Sequence, residues 1–109
     1  MIDVSRIATR FVACLLSGVP LLAGPASAAN ATNGERIAAR WCVSCHAIGR
    51  EQPRVATEAK PFVQIARTPE FNDRSLALFL LDPHPKMPDM GLSRAEAADL
   101  AAYIATLRE

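Results

Sequence analysis

Five residues, Cys42-Val43-Ser44-Cys45-His46, constrain this chain more than anything else in its 109 residues. Two thiols three positions apart, with an imidazole directly after the second, put three reactive or metal-binding groups on about one helical turn. Such a cluster can perform redox chemistry, bind a metal, close a disulfide or grip a large prosthetic group. The rest of the chain must leave room for that chemistry and still bury a core.

The N-terminal part contributes little to that core. Residues 1–28 carry Arg6 and Arg10, then an apolar run from Phe11 to Leu22, then Ala26-Ser27-Ala28. That order of charge, apolar run and small residues is a cleavable secretory signal peptide. The expected division is therefore a leader, 1–28, and one domain, 29–109, exported to the periplasm. Ser17, Gly18 and Pro20 break the apolar run, which is shorter than the roughly 20 residues needed to cross a bilayer, so the mature form is not expected to span a membrane. Arg6 and Arg10 are not adjacent, which excludes a twin-arginine signal, and Cys14 falls too early in the run to be a lipidation site. With the leader go Arg6, Arg10 and Asp3, which brings the 12 basic and 11 acidic residues into balance. A neutral chain without a basic stripe is not expected to bind nucleic acid.

Of the readings open to the cysteine pair, three leave too much unexplained. A thioredoxin-like site calls for a βαβ framework, and no alternating strand pattern is present. A zinc site calls for a second ligand pair, but no other cysteine lies beyond the leader and the only other histidine is His84. A disulfide suits an exported protein but gives His46 no part. Cys-x-x-Cys-His is the attachment motif of c-type haem: each thiol forms a thioether to a vinyl group of one porphyrin, and the imidazole lies beneath the iron. The expected cofactor is one covalently bound haem c with its iron. A buried cofactor also helps a domain this small to be stable.

Helical periodicity accounts for most of the remainder. Asn33 can cap a first helix that starts at Gly34 and runs into the motif, with Gly34, Ala38 and Trp41 on one face. Pro61 suits the first position of a short helix through Phe62, Val63, Ile65 and Ala66. Asn72 or Asp73 can cap a third helix ending at Leu81, with Leu76, Phe79 and Leu80 on one face and Asp82-Pro83 as its stop. At the C-terminus Ser93 and Glu96 form a capping box, Leu92 and Ala97 a hydrophobic staple, and Leu100, Tyr103, Ile104 and Leu107 an apolar stripe, so 93–108 should be helical. The smooth Gly34/Ala38 face lets another helix approach closely.

The run from Gly34 through His46, followed by Lys86-Met87-Pro88 and a final amphipathic helix, resembles the class I cytochrome c family over nearly all of residues 29–109. The resemblance implies an all-α, small cytochrome c-like domain in which helices at both termini cross and further helices and loops wrap one haem. It places Tyr103 at that crossing, as a packing residue. It also implies that the carbonyl of a proline orients His46; Pro61 and Pro53 are the candidates.

The second axial ligand must come from His84, Met87 or Met90, with Lys60 and Lys86 as remote donors. Met87 lies in a loop restrained by Pro83, Pro85 and Pro88, which lowers the entropy lost in holding its sulfur on iron. The resemblance also points to Met87, and His46/Met87 ligation favours the ferrous state and a high potential. With both axial positions filled the iron has no open site for substrate. The scattered carboxylates read as solvated surface charge. No enzyme activity is expected. The function so implied is one-electron transfer between a redox-protein donor and acceptor. Alternatives are a cytochrome subunit of a periplasmic dehydrogenase complex, which should show an exposed apolar patch, and a five-coordinate haem sensor or peroxidase.

Overall fold

The computed structural model describes residue 24 and residues 27–53, 57–82 and 85–109. Most of the expected leader, and Pro83 and His84, lie outside the described residues. Among the described residues the elements are four helices, α1 (Ala31–Trp41), α2 (Phe62–Ala66), α3 (Asp73–Leu81) and α4 (Arg94–Thr106), with no strand. This is the all-α architecture expected.

Helix α1 starts three residues before Gly34. Its cap is Asn30, whose side-chain oxygen accepts the Asn33 N–H at 3.1 Å. The Asn33 side chain is committed elsewhere and donates to Asp99 Oδ2 at 2.8 Å, while the Asn30 N–H donates to Asp99 Oδ1 at 2.6 Å. Asp99, on α4, thus binds the first turn of α1 and sets a negative charge at the positive end of that helix. The buried face of α1 is Gly34, Ile37 and Ala38, whereas Trp41 remains 45% exposed. Trp41 sits in the last turn, with the Arg40 guanidinium 5.0 Å above its ring.

Helix α4 follows its sequence signals closely. Ser93 Oγ accepts the Glu96 N–H at 3.1 Å, and Glu96 Oε2 accepts the Ser93 N–H at 2.8 Å. These bonds hold the Glu96 carboxyl below its usual range. Leu92 packs on the core from outside the helix, and Leu100, Tyr103, Ile104 and Leu107 are buried as the stripe requires. Pro61 precedes α2 as its cap rather than occupying its first position, and Asn72 caps α3 by accepting the Ser75 N–H at 2.8 Å. The buried stripe of α3 is Leu80 with the half-buried Leu76, Ala77 and Leu81. Phe79 is not part of it: at 3.6 residues per turn it lies roughly 130° around the helix from the centre of that stripe, and it is 44% exposed.

The loop after the motif is tied to the end of α4. The Tyr103 hydroxyl donates to the Ile48 carbonyl at 2.8 Å, Arg50 Nη2 donates to the Thr106 carbonyl at 2.6 Å, and Gln52 Oε1 accepts the N–H groups of Ile48 and Gly49. Arg50 therefore places a cation at the negative end of α4. Tyr103→Phe leaves the Ile48 carbonyl without its phenol partner and should cost about 1 kcal/mol in urea unfolding. Burial, and secondarily Glu35, push the Tyr103 phenol above its ordinary value. Because the folded state resists the charged form, the phenol's contribution to stability is complete below about pH 10 and is lost as pH rises through the higher folded pKa. Wild type should therefore lose stability above pH 10 more steeply than Tyr103→Phe.

Candidate haem site

The motif is presented by the C-terminal end of α1. Cys42 is the C-cap, its N–H bonded to the Ala38 carbonyl at 2.9 Å. The chain then makes one more turn, in which the Cys42 carbonyl accepts the N–H groups of Cys45 at 3.1 Å and His46 at 2.9 Å. The two thiols and the imidazole are thereby gathered on one turn, as their spacing requires. The Thr57 hydroxyl holds the Cys45 carbonyl from the following segment.

His46 is oriented from two directions. Its Nδ1 lies 2.7 Å from the Lys60 carbonyl, and its ring rests 5.2 Å from that of Phe62, tilted by 46°. A carbonyl only accepts, so Nδ1 carries the proton and Nε2 keeps its lone pair for a metal. Neither proline carbonyl weighed from the sequence is the acceptor. The Pro61 carbonyl is occupied by the N–H groups of Gln64 and Ile65 at the start of α2, at 3.0 and 3.1 Å. The residue just before the proline supplies the bond.

Cys42, Cys45, His46 and Met87 line one cavity of about 400 Å³, and Met90 and Trp41 also face it. The thiols and imidazole come from the end of α1, the two sulfurs from the 85–90 loop. The structure thus brings Met87 to the same cavity as His46 and does the same for Met90. Lys60 contributes its backbone rather than its amine, and the Lys86 ammonium lies 3.6 Å from Glu58. Burial, and secondarily the neighbouring Cys45, push the Cys42 thiol up to about 11. A thiol that resists ionisation is the reverse of a thioredoxin-type nucleophile. The thioredoxin-like reading of the cysteine pair thereby loses ground. Among the described residues no group of three or more His, Cys, Asp or Glu could hold a bare metal ion.

The residues fit a haem. The cavity lies within the roughly 300–1,000 Å³ common to cofactor sites. It brings together two thiols, an imidazole oriented through Nδ1 and two thioethers. The family described as cytochrome c oxidase, cbb3-type, subunit III matches residues 29–104. Cytochrome c-552 of Bradyrhizobium diazoefficiens is 47% identical over 95 residues, covering 87% of this chain and 91% of that protein. No solved structure matches this chain. The chain belongs to the class I c-type cytochromes, whose cofactor is covalently bound haem c with its iron. Among the described residues no helix is long and apolar enough to cross a membrane.

Sequence reasoning overlooked Phe62 as the ring against His46 and Thr57 as the partner of the Cys45 carbonyl. The first had a faint signal, an aromatic immediately after Pro61. The second had none.

Proposed function

We propose that this protein is a periplasmic one-electron carrier with a single haem, attached through Cys42 and Cys45 and ligated axially by His46 and Met87. The observation that carries this reading is the convergence of Cys42, Cys45, His46 and Met87 on one cavity. The bound group supplies reversible exchange between ferric and ferrous iron. The chain's own part is to hold the imidazole through the Lys60 carbonyl, enclose the cavity and supply a soft sulfur that favours ferrous iron. A carrier with both axial positions filled changes little in geometry between its two states, so it performs electron transfer and no reaction on a bound substrate. Residues 1–28 are its export signal, removed before Ala29.

The test is expression with the leader in a host that attaches haem. Haem retained after denaturation at one equivalent per chain, a reductive titration that takes up one electron, and a periplasmic product beginning at Ala29 are expected. Cys42→Ala/Cys45→Ala should retain no covalent haem. More than one haem per chain, or covalent haem in the double variant, would overturn the reading.

A second reading, a cytochrome subunit acting inside a larger redox complex, draws on Leu78, 60% exposed on α3 beside Phe79, and on the subunit description of the matched family. Co-purification of a stoichiometric partner that reduces the haem would favour it over the free carrier.

A further inference from the structure

The short segment 57–60 touches both the haem motif and the 85–90 loop. The Thr57 hydroxyl bonds the Cys45 carbonyl and the Lys60 carbonyl accepts from His46 Nδ1 at 2.7 Å. Between these two anchors Glu58 pairs with the loop: its Oε2 lies 3.6 Å from Nζ of Lys86, the residue before Met87. Glu58, Lys86 and Met87 all line the cavity.

Lys86 adopts φ 78°, in the left-handed region. A side chain makes that region unfavourable, so a lysine persists there where its surroundings hold it. The direction in which the chain delivers Met87 depends on that residue's backbone. Glu58, fixed through its neighbours to the His46 side, is a group placed to hold it.

We propose that the Glu58–Lys86 ion pair is a latch that positions Met87, keeping the 85–90 loop closed over the cavity. The proposal rests on the reading of Met87 as axial ligand. Both are positioning residues, acting through Met87 rather than on the haem. The Lys86 and Glu58 side chains are 87% and 97% exposed, so the attraction is weak and screened by salt. A contact of that strength alters how often the loop opens without altering whether the domain folds.

The test uses ferric holoprotein with imidazole as a probe that competes with Met87 for the iron. At low ionic strength Glu58→Gln should bind imidazole roughly two- to fivefold more tightly than wild type, as expected for the loss of an exposed ion pair. The urea midpoint should fall only by that same small free energy. Lys86→Gln should give the same gain, the two together no further gain, and the charge-exchanged Glu58→Lys/Lys86→Glu should restore wild-type affinity. In about 1 M salt, where the screening length is about 3 Å, wild type and Glu58→Gln should converge. Equal affinities at low salt, or independent effects of the two single variants, would overturn the latch. A methionine-sulfur band that survives in Met87→Ala would instead show that the ligand reading beneath it is wrong.

Discussion

Replacing Met87 with alanine is expected to remove the methionine-sulfur charge-transfer band of the oxidised protein. It should also lower the reduction potential by on the order of 100 mV, a fraction of the roughly 0.8 V that axial ligands span. Haem attachment should be unaffected, because Cys42, Cys45 and His46 are presented by the end of α1 and its following turn, which do not include the 85–90 loop. The direction follows from sulfur chemistry: a thioether donates weakly and favours ferrous iron, so its loss favours ferric iron. Absorption spectroscopy and potentiometry on the same preparation separate the two effects. Met90 faces the same cavity and supplies the contrast. A band retained in Met87→Ala and lost in Met90→Ala would transfer the ligand to Met90. Band and potential retained with either methionine replaced singly would mean that neither is required by itself, whereas a wild-type protein without the band would leave sulfur ligation without support.

What the sequence made legible was local. The Ser93/Glu96 capping box spans one helical turn and needs no tertiary partner, and the structure contains both of its bonds. The apolar stripe of α4 was similarly visible because four large residues repeat at helical spacing. The start of α1 was misplaced because Asn30 and Asn33 are equally good caps by type. The choice between them is set by Asp99, which lies 66 residues from Asn33 and takes its amide. The acceptor for His46 Nδ1 was beyond sequence reading for another reason. Every residue has a carbonyl, so only the folded chain shows that the Pro61 carbonyl is committed to α2 and that the Lys60 carbonyl is available.

Phe79 shows where periodicity misleads. Leu76, Phe79 and Leu80 are compatible with one helical face, but so are Leu76, Ala77, Leu80 and Leu81, and the burial of Leu80 with its flanking neighbours selects the second set. Trp41 follows the same pattern at the end of α1. The spacing from Gly34 and Ala38 was suggestive, but Ile37 completes the buried face and the indole lines the haem cavity instead. In both cases helical spacing alone admits an aromatic to the buried face, and aliphatic residues hold that face instead.

The largest loss of stability is expected from Gly34→Ala. A β-carbon at Gly34 would stand 2.0 Å from the Asp99 carbonyl oxygen, 2.5 Å from its carbonyl carbon and 2.8 Å from Tyr103 Cβ. Two of these atoms are backbone of α4 and the third is fixed to it, so no rotamer change relieves the overlap. The helices must separate. That movement would open the interface holding Ala38 and Leu100, both fully buried, and would pull Asp99 from the first turn of α1. Overpacking of this kind costs about 3 kcal/mol or more, a large share of the roughly 5–15 kcal/mol that holds a small domain folded. For a domain of this size it corresponds to a fall in Tm of roughly 12–24 °C. Gly49→Ala is the control, since its β-carbon would meet nothing nearer than Gln52 Cβ at 3.9 Å, and its stability should stay within about 0.5 kcal/mol of wild type. Thermal unfolding of the two holoproteins side by side decides the matter. Equal midpoints would mean that α1 and α4 do not meet at Gly34, whereas a selective fall in Gly34→Ala, with haem still covalently attached, would locate the closest restraint on the fold at a residue that has no side chain.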